Sequence, residues 1–196
     1  MPYYMDLHVV PGLTPKMMAE GHRADLKVQA EFNCKCITYW LDADRGRAFC
    51  LAEAPDKDAL RKTHLKSLGV EPIKIIQVDK EVVKSFLGRI KDPEIYHSEA
   101  FNDLKIFNDP SFRIVMACET EISKVLDYRF GKSKADKLRI AYKNIVQSEL
   151  KANDGRAVKG EEFLVSFRSV FQAVECAFSI RNKFCLLYTS PSPRDS

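Results

Sequence analysis

The chain has 196 residues, 45% of them hydrophobic and 30% charged, and a net charge of +4. That balance fits a soluble globular protein of one or two domains and lacks the basic stripe that nucleic-acid binding needs. No apolar run reaches the ~18 residues of a membrane span, so neither nucleic acid nor membrane is expected as a partner.

The opening "MPYYMDLHVV" carries no basic-then-apolar leader. This points to the cytoplasm and to six reduced cysteines. From Tyr3 to Val10 the pattern alternates: Met5, Leu7 and Val9 share one face, Tyr4, Asp6 and His8 the other, which predicts a strand. "PGLTP" offers Thr14 as an N-cap and Pro15 at the first helical position, and the helix is expected to reach Asn33. "CKCITYWLD" and "RAFCLAEAP" read as strands joined by the turn "ADRG". Cys34 and Cys36 stand one residue apart on the first of them, so they form no CxxC motif. "DKDALRKTHLKSLG" is a second helix between a cap at Asp56 and a stop at Gly69, and "PIKIIQVD" a fourth strand. The order β-α-β-β-α-β is the split βαβ of ferredoxin-like folds, complete by about Asp79.

Residues 80–111 hold a connecting helix, "KEVVKSFLGRI", and a linker partly packed on its neighbours. A second α+β domain is expected over 112–184. It opens with the apolar run "FRIVMACE", a buried central strand by its pattern. "TEISKVLDYRFG" starts a short helix and "KADKLRIAYKNIVQSELKANDG" makes a long amphipathic one. "RAVKG" and "EEFLVSF" read as strands joined by a very tight turn, followed by the helix "SVFQAVECAFSIRNKF". Strand, helix, strand, strand, helix repeats the plan of the first domain without its closing elements.

Three of the four histidines, His8, His22 and His64, fall in the first domain. Imidazole, carboxylate and thiolate are the usual ligands of nickel, zinc or copper. His22 and Asp25, three apart, share one face of the first helix, and Glu53 and His64 could join them. A different grouping uses the other sheet face: Asp6, His8, Trp40 and Cys50. Equally open is a buried His22–Asp25 pair, with His8 lining a dimer face or a small-molecule cavity beside Trp40 and Cys50. "YYMDLHVVPGLT", "GHRADLKVQ", "YWLDADRGRAFCLAEAPDKDAL" and "THLKSLG" resemble a family of small bacterial nickel-binding proteins, ferredoxin-like and dimeric, otherwise described as a domain of unknown function. The resemblance covers about Pro2 to Asp79. It implies a Ni2+ or Zn2+ site, for which His8, His22, Glu53 and His64 are the candidates from spacing; the alternation sets His8 and Glu53 on opposite faces, so one site containing both needs a dimer partner. Where that family is expected to carry an "AHG"-like triplet, this chain has Ser67, Leu68 and Gly69.

In the second domain Glu119 ends a strand, and Thr120, Glu121, Ile122 and Ser123 open a helix, a setting for a divalent cation beside a phosphate. Glu161 and Glu162 occupy the turn between the next two strands. Spacing alone also fits solvated strand-end glutamates. Residues 112–184 resemble the first part of a class III adenylate/guanylate cyclase catalytic domain, carried by "RIVMACETEISKVLDYRFG", "AYKNIVQSELKANDGRAVKGEEFLVSF" and "SVFQAVECAFSIRNKF". That resemblance implies Mg2+ at Glu119 and Glu161, a phosphate at Thr120–Ser123, ATP or GTP as substrate, and a homodimer. The family's metal aspartate falls at Glu119 and its Gly-Asp-Gly hairpin at Gly160, Glu161 and Glu162. The competing expectation is a metal-binding protein with a non-catalytic, pseudo-cyclase dimerisation domain.

The closing "CLLYTSPSPRDS" back-translates, over residues 185–195, into the transposase adapter used in sequencing-library preparation. Residues 185–196 are therefore expected to be non-biological. The chain is read as a fragment of a sensor-plus-cyclase protein, inactive as it stands.

Overall fold

A computed structural model describes residues 1–92, 106–118, 123–158 and 164–189, which fall into two units divided between Phe112 and Arg113. The alternation at the start makes β1 (Tyr3–Val9). Thr14 accepts a hydrogen bond from the Met17 amide at 3.2 Å, and Pro15, whose missing N–H costs nothing at a helix start, opens α1 (Pro15–Val28). A 3-10 turn over Gln29–Phe32 ends at Asn33, which takes the left-handed conformation with φ 52°. The strands β2 (Lys35–Asp42) and β3 (Arg47–Glu53) form an antiparallel hairpin. Its turn needs Gly46: φ is +57°, and a Cβ there would stand 2.5 Å from the Val10 carbonyl oxygen. Asp56 caps α2 (Lys57–Leu68) by accepting from the Ala59 amide at 2.8 Å. After β4 (Lys74–Val78), Asp79 caps α3 (Lys80–Leu87).

The sheet order is β2-β3-β1-β4 with every neighbour antiparallel, the ferredoxin-like arrangement. Both faces are covered. Toward α1 and α2 point Tyr4, Tyr39, Leu41, Ala48, Cys50 and Ala52, packed with Leu13, Met18 and Leu60. On the opposite face Trp40 and Leu51 pack beneath Val83 of α3, with Tyr3, Met5 and Val78 around them.

The connecting stretch belongs to this first unit. Leu41 donates its amide to the Asp109 carbonyl at 3.1 Å, and Ser111 donates to the Leu41 carbonyl at 3.0 Å, so residues 109–111 pair with the outer edge of β2. Phe107 stacks on Tyr39 with ring centroids 4.3 Å apart. Arg89 fastens the stretch from below, donating to Asp109 at 2.7 Å, to the Thr38 hydroxyl and to the Tyr39 carbonyl. An edge strand that would offer free N–H and C=O groups is thereby shielded.

The second unit runs β5 (Ile114–Ala117), α4 (Ser123–Phe130), α5 (Lys132–Ala152), β6 (Arg156–Ala157), β7 (Leu164–Phe167) and α6 (Val170–Thr189). Its antiparallel sheet has the order β5-β7-β6, which matches the first three strands of the same ferredoxin-like plan. Among the described residues, the run expected to be a buried central strand stands at the edge of this sheet, with Val115 exposed. Pairing of β6 with β7 is recorded out to a bond from the Val158 amide to the Leu164 carbonyl at 2.9 Å. The very tight turn expected between these strands falls on residues 159–163, which lie outside the described residues. Leu150, Val165, Phe167, Ala173, Cys176 and Ile180 form the core. Gly155 is required by close packing, since a Cβ would meet the Phe167 ring at 2.7 Å. Helix α6 continues past Phe184 to Thr189, into the closing stretch expected to be non-biological. Among the described residues no helix is long and apolar enough to cross a membrane.

Candidate metal centre

Two residues apart on β1, Asp6 and His8 share a sheet face, and the helices α1 and α2 cover that face. The buried side of α1 presents Met18, Ala19, His22 and Asp25; that of α2 presents Leu60, Thr63 and His64. Asp6, Asp25 and His64 thus meet in the interior, 1%, 2% and 1% exposed. His64 lies between the two carboxylates: Nε2 is 2.9 Å from Asp6 Oδ2 and Nδ1 is 3.2 Å from Asp25 Oδ1. Ser67, one turn-position further along α2, donates its hydroxyl to the same Asp25 oxygen. The His8 ring packs edge-on against His64, with centroids 4.7 Å apart, and His8 Nε2 comes within 3.2 Å of Asp6 Oδ1.

Burial by itself disfavours a charged imidazole, but Asp25 and Asp6 outweigh it and hold the His64 pKa up at about 10. Burial likewise pushes Asp6 upward, yet the bond from His64 and the His8 imidazole close by outweigh it, and the carboxyl lies below its ordinary range. The centre is therefore an imidazolium clasped between carboxylates.

Satisfaction is incomplete. Asp6 Oδ1 and His8 Nε2 are both buried and neither makes a hydrogen bond, close as they are. Donor atoms of Asp6, His8 and His64 all lie within 4.8 Å of one another. A divalent transition metal with bonds of about 2.0–2.2 Å to nitrogen and oxygen spans such a group. Asp25, with Ser67 behind it, would serve as the outer carboxylate that orients a ligating histidine. The residues present fit a metal.

Of the histidines and the glutamate singled out from sequence, His8 and His64 come together here. His22 stays on the same helix face as Asp25 but turns its Nε2 toward Asp92, 3.7 Å away, and its ring toward Tyr39. Glu53 pairs in register with Tyr3 and bonds its hydroxyl on the α3 side of the sheet. Trp40 is on that side too, so the grouping of Asp6, His8, Trp40 and Cys50 divides: Trp40 leaves it and His64 enters. Asp6 was expected beside His8 in that grouping, its i, i+2 spacing on β1 carrying the signal, and what the sequence did not connect was its pairing with His64. Ser67, in the place of the expected "AHG"-like triplet, directs its hydroxyl to Asp25. In the second unit Glu119, Thr120, Glu121, Ile122 and Glu161 lie outside the described residues, and Ser123 is the first residue of α4.

Residues 4–78 match the family model described as nickel responsive protein SCO4226-like. Among solved structures, SCO4226 from Streptomyces coelicolor A3(2) is similar at 30% identity over 39% of this chain and 94% of that one, with a TM-score of 0.37. A bacterial light-regulated adenylyl cyclase is similar at 13% identity over 93% of this chain, with a TM-score of 0.32. The chain spans 65% of that cyclase. No curated protein matches the chain.

Proposed function

We propose, from the premise that this chain belongs through residues 4–78 to the nickel-responsive SCO4226-like family, that its first unit binds a divalent transition metal, nickel or zinc, at Asp6, His8 and His64. The observation that carries the proposal is the convergence of three buried donor side chains, two of whose atoms make no hydrogen bond. Leaving such atoms unsatisfied costs about 1–3 kcal/mol each, and a bound ion removes that penalty. Metal entry replaces the proton between His64 and Asp6, so binding is coupled to proton release. Asp25 keeps the other His64 nitrogen protonated and fixes the ring. The test is nickel titration of the full chain by calorimetry. Saturable heat is expected, strongly reduced in Asp6→Asn and His8→Ala; no heat above buffer in the unmodified chain removes the reading.

A second reading concerns residues 113–189. The paired ends Ala117 of β5 and Leu164 of β7 stand side by side, and the chain leads from one to Glu119 and back to the other from Glu161. That adjacency supports a class III cyclase-like domain in which Mg2+ bound at Glu119 and Glu161, with Thr120–Ser123 near the phosphates, meets ATP or GTP in a homodimer of a cytoplasmic signalling protein. Incubation with each nucleotide and Mg2+ followed by chromatography tests it. Cyclic product supports an enzyme; nucleotide binding without product favours the pseudo-cyclase alternative.

A further inference from the structure

A second buried polar pair in the first unit takes no part in the metal centre. His22 on α1 and Asp92, beyond the end of α3, stand 3.7 Å apart from Nε2 to Oδ2, a gap too long for a hydrogen bond. His22 is 7% exposed, and its Nε2 and Asp92 Oδ1 are both buried without a hydrogen bond. The charged and titratable groups around them are engaged elsewhere. Arg89 spends its donors on Asp109, the Thr38 hydroxyl and the carbonyls of Lys91 and Tyr39. Asp25, one turn along α1 from His22, is taken by His64 and Ser67. Tyr39, whose ring lies 5.3 Å from that of His22, stays neutral, since burial and then the Asp92 charge push its hydroxyl up. Burial also raises Asp92, yet the His22 imidazole and the Thr38 hydroxyl close by outweigh it and keep the carboxyl below its ordinary range. A carboxylate therefore faces an imidazole whose near nitrogen is unused. Two donors fall short of a metal site, and among the described residues the group of metal-ligating side chains is Asp6, His8 and His64. What this pair lacks is a proton.

We propose that His22 and Asp92 are an acid-operated latch: His22 takes a proton from solvent at Nε2, donates it in a hydrogen bond to the Asp92 carboxylate, and so fastens the stretch after α3 to α1. Histidine is the side chain that changes its charge between about pH 5 and pH 8. A bond from an imidazolium to a carboxylate closes to about 2.7–2.9 Å, so the latch shuts with a movement of about 1 Å from the observed separation. Without the proton two acceptors face each other, which is the unbonded arrangement seen. The latch is independent of the metal-binding reading, since neither residue belongs to the group of Asp6, His8 and His64. Its place in the fold gives it a reach beyond the pair. Helix α1 carries both His22 and Asp25, the carboxylate bonded to His64, so a closed latch ties the connecting stretch to the helix that aims that ring.

The experiment is a double-mutant cycle on the full chain in chelator, with urea unfolding followed by Trp40 fluorescence at about pH 5.5 and pH 8, either side of the imidazole range. The proteins are the unmodified chain, His22→Gln, Asp92→Asn and the double variant. The His64 centre is common to all four and drops out of the coupling. At the lower pH the two side chains are expected to be coupled by about tenfold in the unfolding equilibrium constant, the scale of one hydrogen bond to a charged group. At the higher pH they are expected to be uncoupled. Proton magnetic resonance of the unmodified chain reads the latch without any variant: a slowly exchanging His22 Nε2–H signal, identified by the contact of its ring with Tyr39, should be present at the lower pH and absent at the higher. Coupling of equal size at both pH values, or an Nε2–H signal that persists at the higher one, makes the pair a fixed structural contact and overturns the latch. No coupling at either pH, or no signal at the lower one, overturns it as well.

Discussion

Replacing His64 by glutamine tests the electrostatic account of the centre without any metal. Free histidine titrates near 6.5, whereas His64 in the folded chain holds its proton up to about 10, because the Asp25 and Asp6 carboxylates outweigh the burial that opposes its charge. The folded state thus binds the proton more tightly than the unfolded state. The stability that follows is fully present below pH ~6.5 and declines as pH rises toward 10, by about 1.4 kcal/mol per unit over most of that window. Between pH 7 and 9 the loss amounts to about 2.5 kcal/mol. Trp40 is the single tryptophan of the chain and is fully buried in the first unit, so its fluorescence follows the unfolding of that unit alone. Urea titrations in chelator, at pH 7 and pH 9, should show the unmodified protein losing this increment and His64→Gln lacking it, although the variant starts from a lower stability. Parallel losses in the two proteins would refute the clasped imidazolium.

Nickel at about one hundred times its dissociation constant should raise the stability of the first unit by about 2.7 kcal/mol, read as a shift of the Trp40 urea midpoint that His8→Ala abolishes. Gly46→Ala forces a side chain into a left-handed position against the Val10 carbonyl, and a loss of about 1–3 kcal/mol is expected in the same titration. Arg89→Ala strips the guanidinium from Asp109, Thr38 and the Tyr39 carbonyl. A loss on the order of 2 kcal/mol or more should follow, together with faster hydrogen exchange at the Leu41 amide as residues 109–111 loosen from β2. Arg89→Lys should not restore it, since one ammonium cannot reach three acceptors held by a planar fork.

The elements of the first unit were legible because each is bounded by a residue with a local reason to be there: Thr14, Asp56 and Asp79 as caps, Gly46 and Gly69 at positive φ. What alternation could not supply was the side of the sheet on which the helices lie. It partitioned β1 correctly, with Tyr4, Asp6 and His8 on one face, but a period of two is the same whichever face is covered. The helices cover the polar face, against the usual order of hydrophobic inside, and α3 covers the other. Glu53 and Trp40 were placed beside His22 or His8 for the same reason. A carboxylate on a strand and a histidine on a helix can be matched only when the fold brings them together, across the sequence separation of 58 from Asp6 to His64.

That polar face also bears on the choice between a structural and a metal-binding centre. A buried ion pair seldom stabilises a fold more than apolar residues of the same volume, because desolvation cancels most of the attraction. Packing the helices α1 and α2 onto the sheet therefore gives no reason to place Asp6, Asp25 and His64 inside. If the trio served only to lock the fold, a fully bonded network would be expected, since partial satisfaction adds cost without adding order. Instead Asp25 is spent on His64 and Ser67, while Asp6 Oδ1 and His8 Nε2 are left facing each other unbonded. The division is the one a metal site requires: an outer carboxylate already engaged in aiming a ring, and an inner set of lone pairs held in reserve.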